Sequence, residues 1–342
     1  MKVAWVTGDY PPDVVSGAAD GSYMLTTALQ ARGVDVEVIT GERWGISNAG
    51  RIAKRIERAN ADIVHMEYPT ASYGSGLAPQ VLSLLKPMVV RVHEVSHVHV
   101  LRRLALVPFS VRSRRIIFTT HFEFAYARRF APWVSKRACV IPIWSQIPAA
   151  PQPQESRGTD IIHFGLFRRK KGIEQVIELA SSIKQRGLNC TVRMVGIPDP
   201  KQLDYCKGLR ARSAEVPIEW DTGLDAQAVA ELLGQSQVSY MPFPDGVSER
   251  RGSLLALLAN GVAVVTTRGR HTPPDIEGAV EFASSVEEAL ETILELHRDS
   301  KRRAELSAKA MAYASRFSLD SIADEFVKLY EEIVEGRCSA CA

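Results

Sequence analysis

Short apolar runs, each followed by a turn and then a segment with helical spacing, recur along the chain. In the first half the runs are Val3–Thr7, Val34–Ile39, Ile63–Met66, Met88–Val92, Ile116–Thr120 and Cys139–Ile143, with helical spacing over Ser22–Arg32 and Arg51–Asn60. Most are continuously apolar rather than alternating, as expected of strands buried on both faces. Strands of that kind alternating with helices predict a doubly wound parallel sheet.

Residues 146–158, QIPAAPQPQESRG, hold three prolines and no apolar period, which reads as a linker. The pattern then restarts. Strands are expected at Asp160–Phe164, Cys190–Val195, Gln237–Met241 and Val262–Thr267, and helices at Gly172–Arg186, Ala226–Gly234, Ser253–Asn260, Val286–Arg298 and Lys301–Arg316. The chain therefore divides into an N-terminal Rossmann-like domain (1–147), a linker (148–158) and a second Rossmann-like domain (159–317). A last amphipathic helix with its tail (318–342) is expected to pack back on the first domain.

Composition narrows the class. Hydrophobic residues make up 46% and charged residues 24%, which excludes a disordered or fibrous chain. No run approaches the roughly 18 apolar residues that span a bilayer, and the start does not read as a signal peptide, so a cytoplasmic protein is expected. Five scattered cysteines fit reduced thiols, and Cys338-Ser-Ala-Cys341 lacks a second ligand pair, so it reads as tail rather than metal site. Residues 1–150 carry 18 Lys and Arg against 11 Asp and Glu, and the rest carries the opposite imbalance, 24 against 28. Much of the basic excess lies between Arg102 and Arg137, interleaved with Leu, Phe and Trp. Such a stretch is either a solvated helix face or a patch for an anionic membrane surface, so peripheral association at the inner face of the membrane is one expectation. Nothing points to nucleic acid.

In open α/β sheets, ligands bind beyond the carboxyl ends of strands, and four loops there hold candidate chemistry. Gly8–Ser22 opens a helix, with Gly17 and Gly21 permitting close approach of an anion to helix N–H groups; a structural turn is the other reading. His93 and Glu94 end a strand, where a His-acid pair can bond sugar hydroxyls or move a proton. Glu67 and Tyr68, placed after a strand ending at Met66, are candidate acceptor contacts on the same rim. Gly165–Gly172 carries Arg168-Arg169-Lys170-Lys171 at a helix start, where the macrodipole disfavours cations. An anion such as a diphosphate would compensate, with Arg168 and Lys171 its contacts. Phe243–Ala256, with Ser248, Glu249, Arg250, Arg251, Gly252, Ser253 and Leu254, has the polarity of a phosphate and ribose cradle.

Taken together, PPDVVSGAADGS, FGLFRRKKGIEQVIELA and DGVSERRGSLLALLANGVAVVTT resemble the family 4 retaining glycosyltransferases. The likeness covers nearly the whole chain. It implies a GT-B architecture, two Rossmann-like domains facing each other across a cleft, with a nucleotide diphosphate sugar as donor and no metal or other cofactor. Carried over by position, Gly17 matches the first-loop glycine, Lys171 the lysine before glycine that contacts the diphosphate, and His93 a histidine near the reacting sugar. Where members place an arginine after the first glycine of the second stretch, this chain has Leu166, and Arg168 is its substitute.

One departure stands out. Members carry two glutamates eight positions apart before Ala-x-Gly, and counting back from Gly261 puts Ser248 and Ala256 there. Glu249, one step out of register, is the substitute for the first. The resemblance thus implies transfer of a hexosyl group from a UDP- or GDP-linked sugar to a hydroxyl acceptor, with His93, Arg168, Lys171 and Glu249 at the reacting centre. Two alternatives stay open: a non-catalytic nucleotide-sugar-binding partner subunit, and a nucleotide-sugar epimerase of the same fold.

Overall fold

The computed structural model describes residues 1–14, 17–96, 103–104, 106–150, 158–248 and 250–336. Glu249, Arg102, most of the expected linker and the Cys338–Cys341 tail lie outside the described residues. Two compact units are present: Met1–Ile143 together with the chain from Leu319 onward, and Trp144–Ser318.

In the first unit, Lys2–Val6 (β1), Asp35–Ile39 (β2), Ile63–Tyr68 (β3), Val89–Val92 (β4), Arg115–Phe118 (β5) and Ala138–Val140 (β6) form a parallel sheet in the order β2-β1-β3-β4-β5-β6. Its helices include Gly17–Ala31 (α1), Ala49–Ala59 (α2), Ala78–Leu85 (α3), Leu106–Arg112 (α4) and His121–Arg128 (α5). In α2, Ile52, Ala53, Ile56 and Ala59 share the buried face while Arg51, Lys54, Arg55 and Arg58 share the other. Each fully buried Ile contributes roughly 1.5–3 kcal/mol, so Ile56→Ala would loosen the helix most directly. Asn60, left-handed at φ 47°, ends it. Helix α1 begins five residues before the expected Ser22: Ala19, Gly21, Ser22 and Leu25 all lie buried, and that packing overrides the low helix propensity of Gly17 and Gly21.

Leu319–Val334 (α12) closes the first unit. Ile322, Ala323, Phe326, Leu329 and Tyr330 are its buried stripe, and it packs beside α1. There Arg32 Nε donates to Asp324 Oδ1 at 2.5 Å and Nη2 to Asp320 Oδ1 at 2.9 Å.

The second unit contains Gly158–Phe167 (β7), Val192–Pro198 (β8), Ile218–Thr222 (β9), Ser236–Met241 (β10), Ala263–Thr266 (β11) and Glu281–Phe282 (β12), paired in parallel as β12-β11-β10-β7-β8-β9. Around them lie Ile173–Gln185 (α6), Leu203–Arg212 (α7), Ala226–Gln235 (α8), Gly252–Ala259 (α9), Val286–Arg298 (α10) and Ser300–Ser315 (α11). Counted from its own first strand, the order is that of dinucleotide-binding sheets, and its direction of winding reverses between β7 and β10. β9 escapes sequence reading because Ile218-Glu-Trp-Asp-Thr222 alternates at a half-exposed sheet edge. Buried Asn260 ties the entering chain down, accepting from Ala150 N at 2.7 Å and donating to Pro148 O at 3.2 Å.

Candidate functional site

The reversal between β7 and β10 leaves a crevice beyond those two strand ends, and the loops that follow them are the two most basic candidates. After β7, Lys170 (φ 64°) and Gly172 (φ 76°) both adopt left-handed backbone. A side chain at Gly172 would meet the Pro242 carbonyl oxygen at 1.7 Å, so only glycine lets the first loop sit against the second. That turn sorts the four cations. Arg168, Arg169 and Lys170 stay exposed, while Lys171 turns inward and is half-buried. Arg169 is occupied structurally: its backbone N donates to Gln202 Oε1 at 2.9 Å and its guanidinium lies 4.7 Å from the Tyr205 ring centre.

Burial, then the nearby Arg251 and Arg168 charges, lowers the Lys171 ammonium to about 8, with Asp245 partly opposing. Arg251 lies 4.4 Å from the centre of the Phe243 ring and pairs with Asp245. Burial also lowers its pKa, against the pull of Asp245. Arg250 is half-buried beside it. Arg168, Lys171 and Arg251 thus act on one another across a cluster whose acidic member is Asp245. Such a cluster attracts an anion.

Helix α9 starts in the same place. Its N-cap residue, Arg251, supplies no side-chain cap, so the N–H groups of the first turn, from Gly252 and Ser253 onward, are not occupied by one. Gly165, at the end of β7, comes close to Ser253: a Cβ there would lie 3.7 Å from Ser253 Oγ. Ser248 is buried, and among the described residues its hydroxyl has no hydrogen-bond partner. Leu254 and Ala256 are buried in the core, so any part Leu254 plays in the site is through its backbone. Beneath the crevice, His163 Nδ1–H donates to the Tyr240 carbonyl at 3.0 Å, and burial lowers this imidazole to about 4, with Lys171 pushing the same way.

The first unit presents a second cluster at its own strand ends. β3 extends to Tyr68, paired with Val92, rather than ending at Met66, so Glu67 and Tyr68 belong to the strand and not to a following loop. Glu67 is only 1% exposed, and its carboxylate meets His93, takes a 3.2 Å bond from His65 Nε2 and lies 3.6 Å from Arg91 Nη1. Tyr68 is buried and its hydroxyl accepts from Gln80 at 3.0 Å. His93 is fixed through its backbone, with its N–H donating to Tyr68 O at 2.8 Å and its carbonyl accepting from Thr119 Oγ1 at 3.0 Å. Half-buried Glu94 follows it. Buried Glu123 then pins the loop, accepting from Val95 N at 2.7 Å and Ser96 N at 2.9 Å. Gly17 opens α1.

Parts of the Arg102–Arg137 stretch serve the fold. Arg137 Nη1 donates to Val111 O at 2.9 Å and Ser113 O at 3.0 Å, closing the end of α4, while Arg103 and Arg128 stack on Tyr126 and Phe124. Around them Leu104, Val107, Val111 and Trp133 are exposed, with exposed Arg112, Arg114 and Lys136 alongside.

Sequence reading passed over Asp245, His65, Arg91, Glu123 and Tyr330. A signal did exist for His65, a histidine in the middle of an otherwise apolar run, which must find a partner inside.

No protein-family model matches the sequence, and no curated protein does. Solved structures match its fold over nearly the whole chain. Sucrose-phosphate synthase from Thermosynechococcus elongatus has a TM-score of 0.73 at 15% identity, with 98% of this chain and 100% of that chain covered. HepE of Anabaena, solved with UDP and glucose, gives 0.71 at 16% identity, covering 97% and 100%. WaaG, a glycosyltransferase involved in lipopolysaccharide biosynthesis, gives 0.62 at 17% identity, covering 98% and 100%. The two units therefore have the α/β architecture of the GT-B glycosyltransferases.

Proposed function

We propose that the chain is a retaining glycosyltransferase of family 4 type, moving a hexosyl group from a UDP- or GDP-linked sugar to a hydroxyl acceptor. The observation that carries this reading is the convergence of Arg168, Lys171 and Arg251 on the uncapped start of α9 where the second sheet reverses. HepE, of the same fold, was solved with UDP and glucose, which supports a nucleotide-linked donor.

In this reading the diphosphate lies against those cations and the first turn of α9. Ser248 Oγ, buried without a hydrogen-bond partner among the described residues, is a further donor, and half-buried Arg250 follows two positions on. The resemblance gives Glu249, outside the described residues, the part of the first family glutamate. As the bond from the anomeric carbon to the diphosphate oxygen breaks, its electron pair goes to the diphosphate, whose growing charge the cations stabilise. The acceptor oxygen bonds to the same carbon on the same face, and its proton passes to the departing phosphate. On the first unit, His93, whose imidazole meets Glu67, and Gly17 at the start of α1 are the residues to which the family 4 resemblance gives roles toward the sugar and the first loop. With three cations at the leaving group, no metal is required. Losing one such electrostatic contact costs about 10²–10³ in turnover. Lys171→Ala should show that loss with its fold intact; near-normal transfer would sink the assignment.

Ser248 and Ala256, which stand where family 4 members have glutamates, favour one rival, a donor-binding partner subunit without turnover. Product analysis with donor alone and with candidate acceptors separates that rival, and an epimerase, from a transferase. Among the described residues no helix is long and apolar enough to cross a membrane. The exposed Val107, Val111 and Trp133 beside Arg112 and Lys136 support peripheral contact with an anionic lipid surface, which vesicle sedimentation tests.

A further inference from the structure

A buried polar chain runs from the C-terminal helix to His93. Tyr330 Oη donates to His65 Nδ1 at 2.8 Å, and His65 Nε2–H donates to Glu67 Oε1 at 3.2 Å. The other Glu67 oxygen meets His93 Nε2. Tyr330, His65 and Glu67 are at most 1% exposed, whereas the His93 side chain keeps 28% of its surface. Polar groups are rarely buried in series unless each satisfies the next. Here the last member alone reaches solvent.

The surroundings fix the order of donors. The Trp5 ring stacks on His65 with centroids 4.0 Å apart, and Phe326 packs edge-on against it at 5.7 Å. Burial lowers the His65 pKa, and Arg91 and His93 lower it further against the pull of Glu67, so the ring is neutral. Burial alone would raise the Glu67 carboxyl, but Arg91, His93 and His65 outweigh it and hold the group well below its usual range. Tyr330 is kept as a phenol by burial and by Glu67. A neutral His65 that accepts at Nδ1 must carry its proton on Nε2, facing Glu67. Arg91 on β4 and Tyr73, whose phenol burial and then Glu67 and Asp9 hold protonated, are the other titratable or charged groups acting at the carboxylate among the described residues.

We propose that Tyr330 is a positioning residue for His93, acting through His65 and Glu67, so that α12 sets the orientation of an imidazole on a different part of the fold. The bearing on turnover rests on the glycosyltransferase reading; the chain of polar contacts does not. Glu67 meets His93 at Nε2, while 28% of that side chain stays exposed. Each donor to Glu67 competes with His93 for the carboxylate's charge. Weakening the His65 donor should therefore strengthen the hold on His93, and removing the carboxylate should abolish it.

The test is NMR of the His93 imidazole in the full chain, read as its ring-nitrogen chemical shifts at one fixed pH. Glu67→Gln should move the Nε2 resonance by removing the carboxylate that it meets. Tyr330→Phe keeps the ring and removes one hydroxyl, and should move that resonance by less and in the opposite direction. No change in Tyr330→Phe, or a shift in the same direction as in Glu67→Gln, overturns the proposal. A second measurement needs no variant: in the wild-type chain at pH 7, His65 should be neutral with its proton on Nε2. A His65 that is doubly protonated at that pH, or that carries its proton on Nδ1, overturns the proposal equally. If transfer is then measured, Tyr330→Phe should lower kcat about threefold to tenfold with donor affinity unchanged, the loss of one hydrogen bond. An unchanged His93→Ala enzyme would remove His93 from the reacting centre while leaving the imidazole spectra to decide the relay.

Discussion

Gly172 and Pro242 touch backbone to backbone: a methyl group on the glycine would lie 1.7 Å from the proline carbonyl oxygen. That contact joins the turn bearing Lys171 to the loop bearing Arg251, and the proposed donor site needs both. Gly172→Ala adds a left-handed non-glycine residue to this overlap and should cost roughly 2–4 kcal/mol. Gly187 is also left-handed, at φ 63°, but has open space around it, so Gly187→Ala should cost only about 1 kcal/mol. Denaturant melts of both variants give the comparison, and equal losses would show that the contact is not the cause.

Lys171 makes donor binding depend on pH in the alkaline range. Its ammonium, lowered to about 8 by burial and neighbouring cations, must be charged to hold a diphosphate. Affinity should hold steady below pH 7 and weaken about tenfold per unit well above pH 8, since each binding event must then take up a proton. Calorimetry in buffers of different ionisation enthalpy would detect that uptake, close to one proton at pH 9 and close to none at pH 6.5. Lys171→Arg, charged throughout, should bind with no such dependence.

His163 makes stability depend on pH on the acid side. It is held neutral in the fold, with a pKa of about 4 against 6.5 when unfolded. The unfolded chain therefore binds a proton that the folded chain refuses, and stability falls as pH drops from 6.5 to 4, by about 3 kcal/mol in all. Below pH 4 this contribution levels off. In His163→Gln melts the fall over that window should be smaller by that amount; an identical slope would remove His163 as its source.

The exposed apolar residues around α4 give a third expectation. Sedimentation with vesicles containing anionic lipid should carry the chain down at low salt and release it as ionic strength rises. Replacing Val111 and Trp133 together by Ser should weaken binding at every salt concentration, because the apolar part of the contact is not screened. Equal recovery with neutral and anionic vesicles would contradict a charge-assisted surface.

The doubly wound sheets were legible because their central strands are continuous apolar runs, such as Val3–Val6 and Val262–Val265, that nothing but two-sided burial explains. Lys171 and Arg251 were legible as charge placed against a helix start. Two kinds of feature were not. Edge strands such as Ile218–Thr222 carry the weak alternation of a half-exposed segment, and the Tyr330–His65 contact joins positions far apart in the chain that no local pattern links. The inward turn of Lys171 rather than its three neighbours also needed coordinates, since it depends on the left-handed Lys170 and Gly172.

The most direct test is a thermal-shift series with the wild-type chain and Lys171→Ala. UDP, GDP and their sugar conjugates should be compared with the matching nucleosides and monophosphates. A ligand that binds only the folded state raises the melting temperature by mass action, by about 2.7 kcal/mol of stabilisation at a hundredfold excess over Kd. At least one nucleoside diphosphate or its sugar should stabilise the wild-type chain well beyond its nucleoside, and Lys171→Ala should lose that gain. Stabilisation by no diphosphate, or by one that Lys171→Ala binds equally well, would contradict a nucleotide-sugar donor held in the second unit.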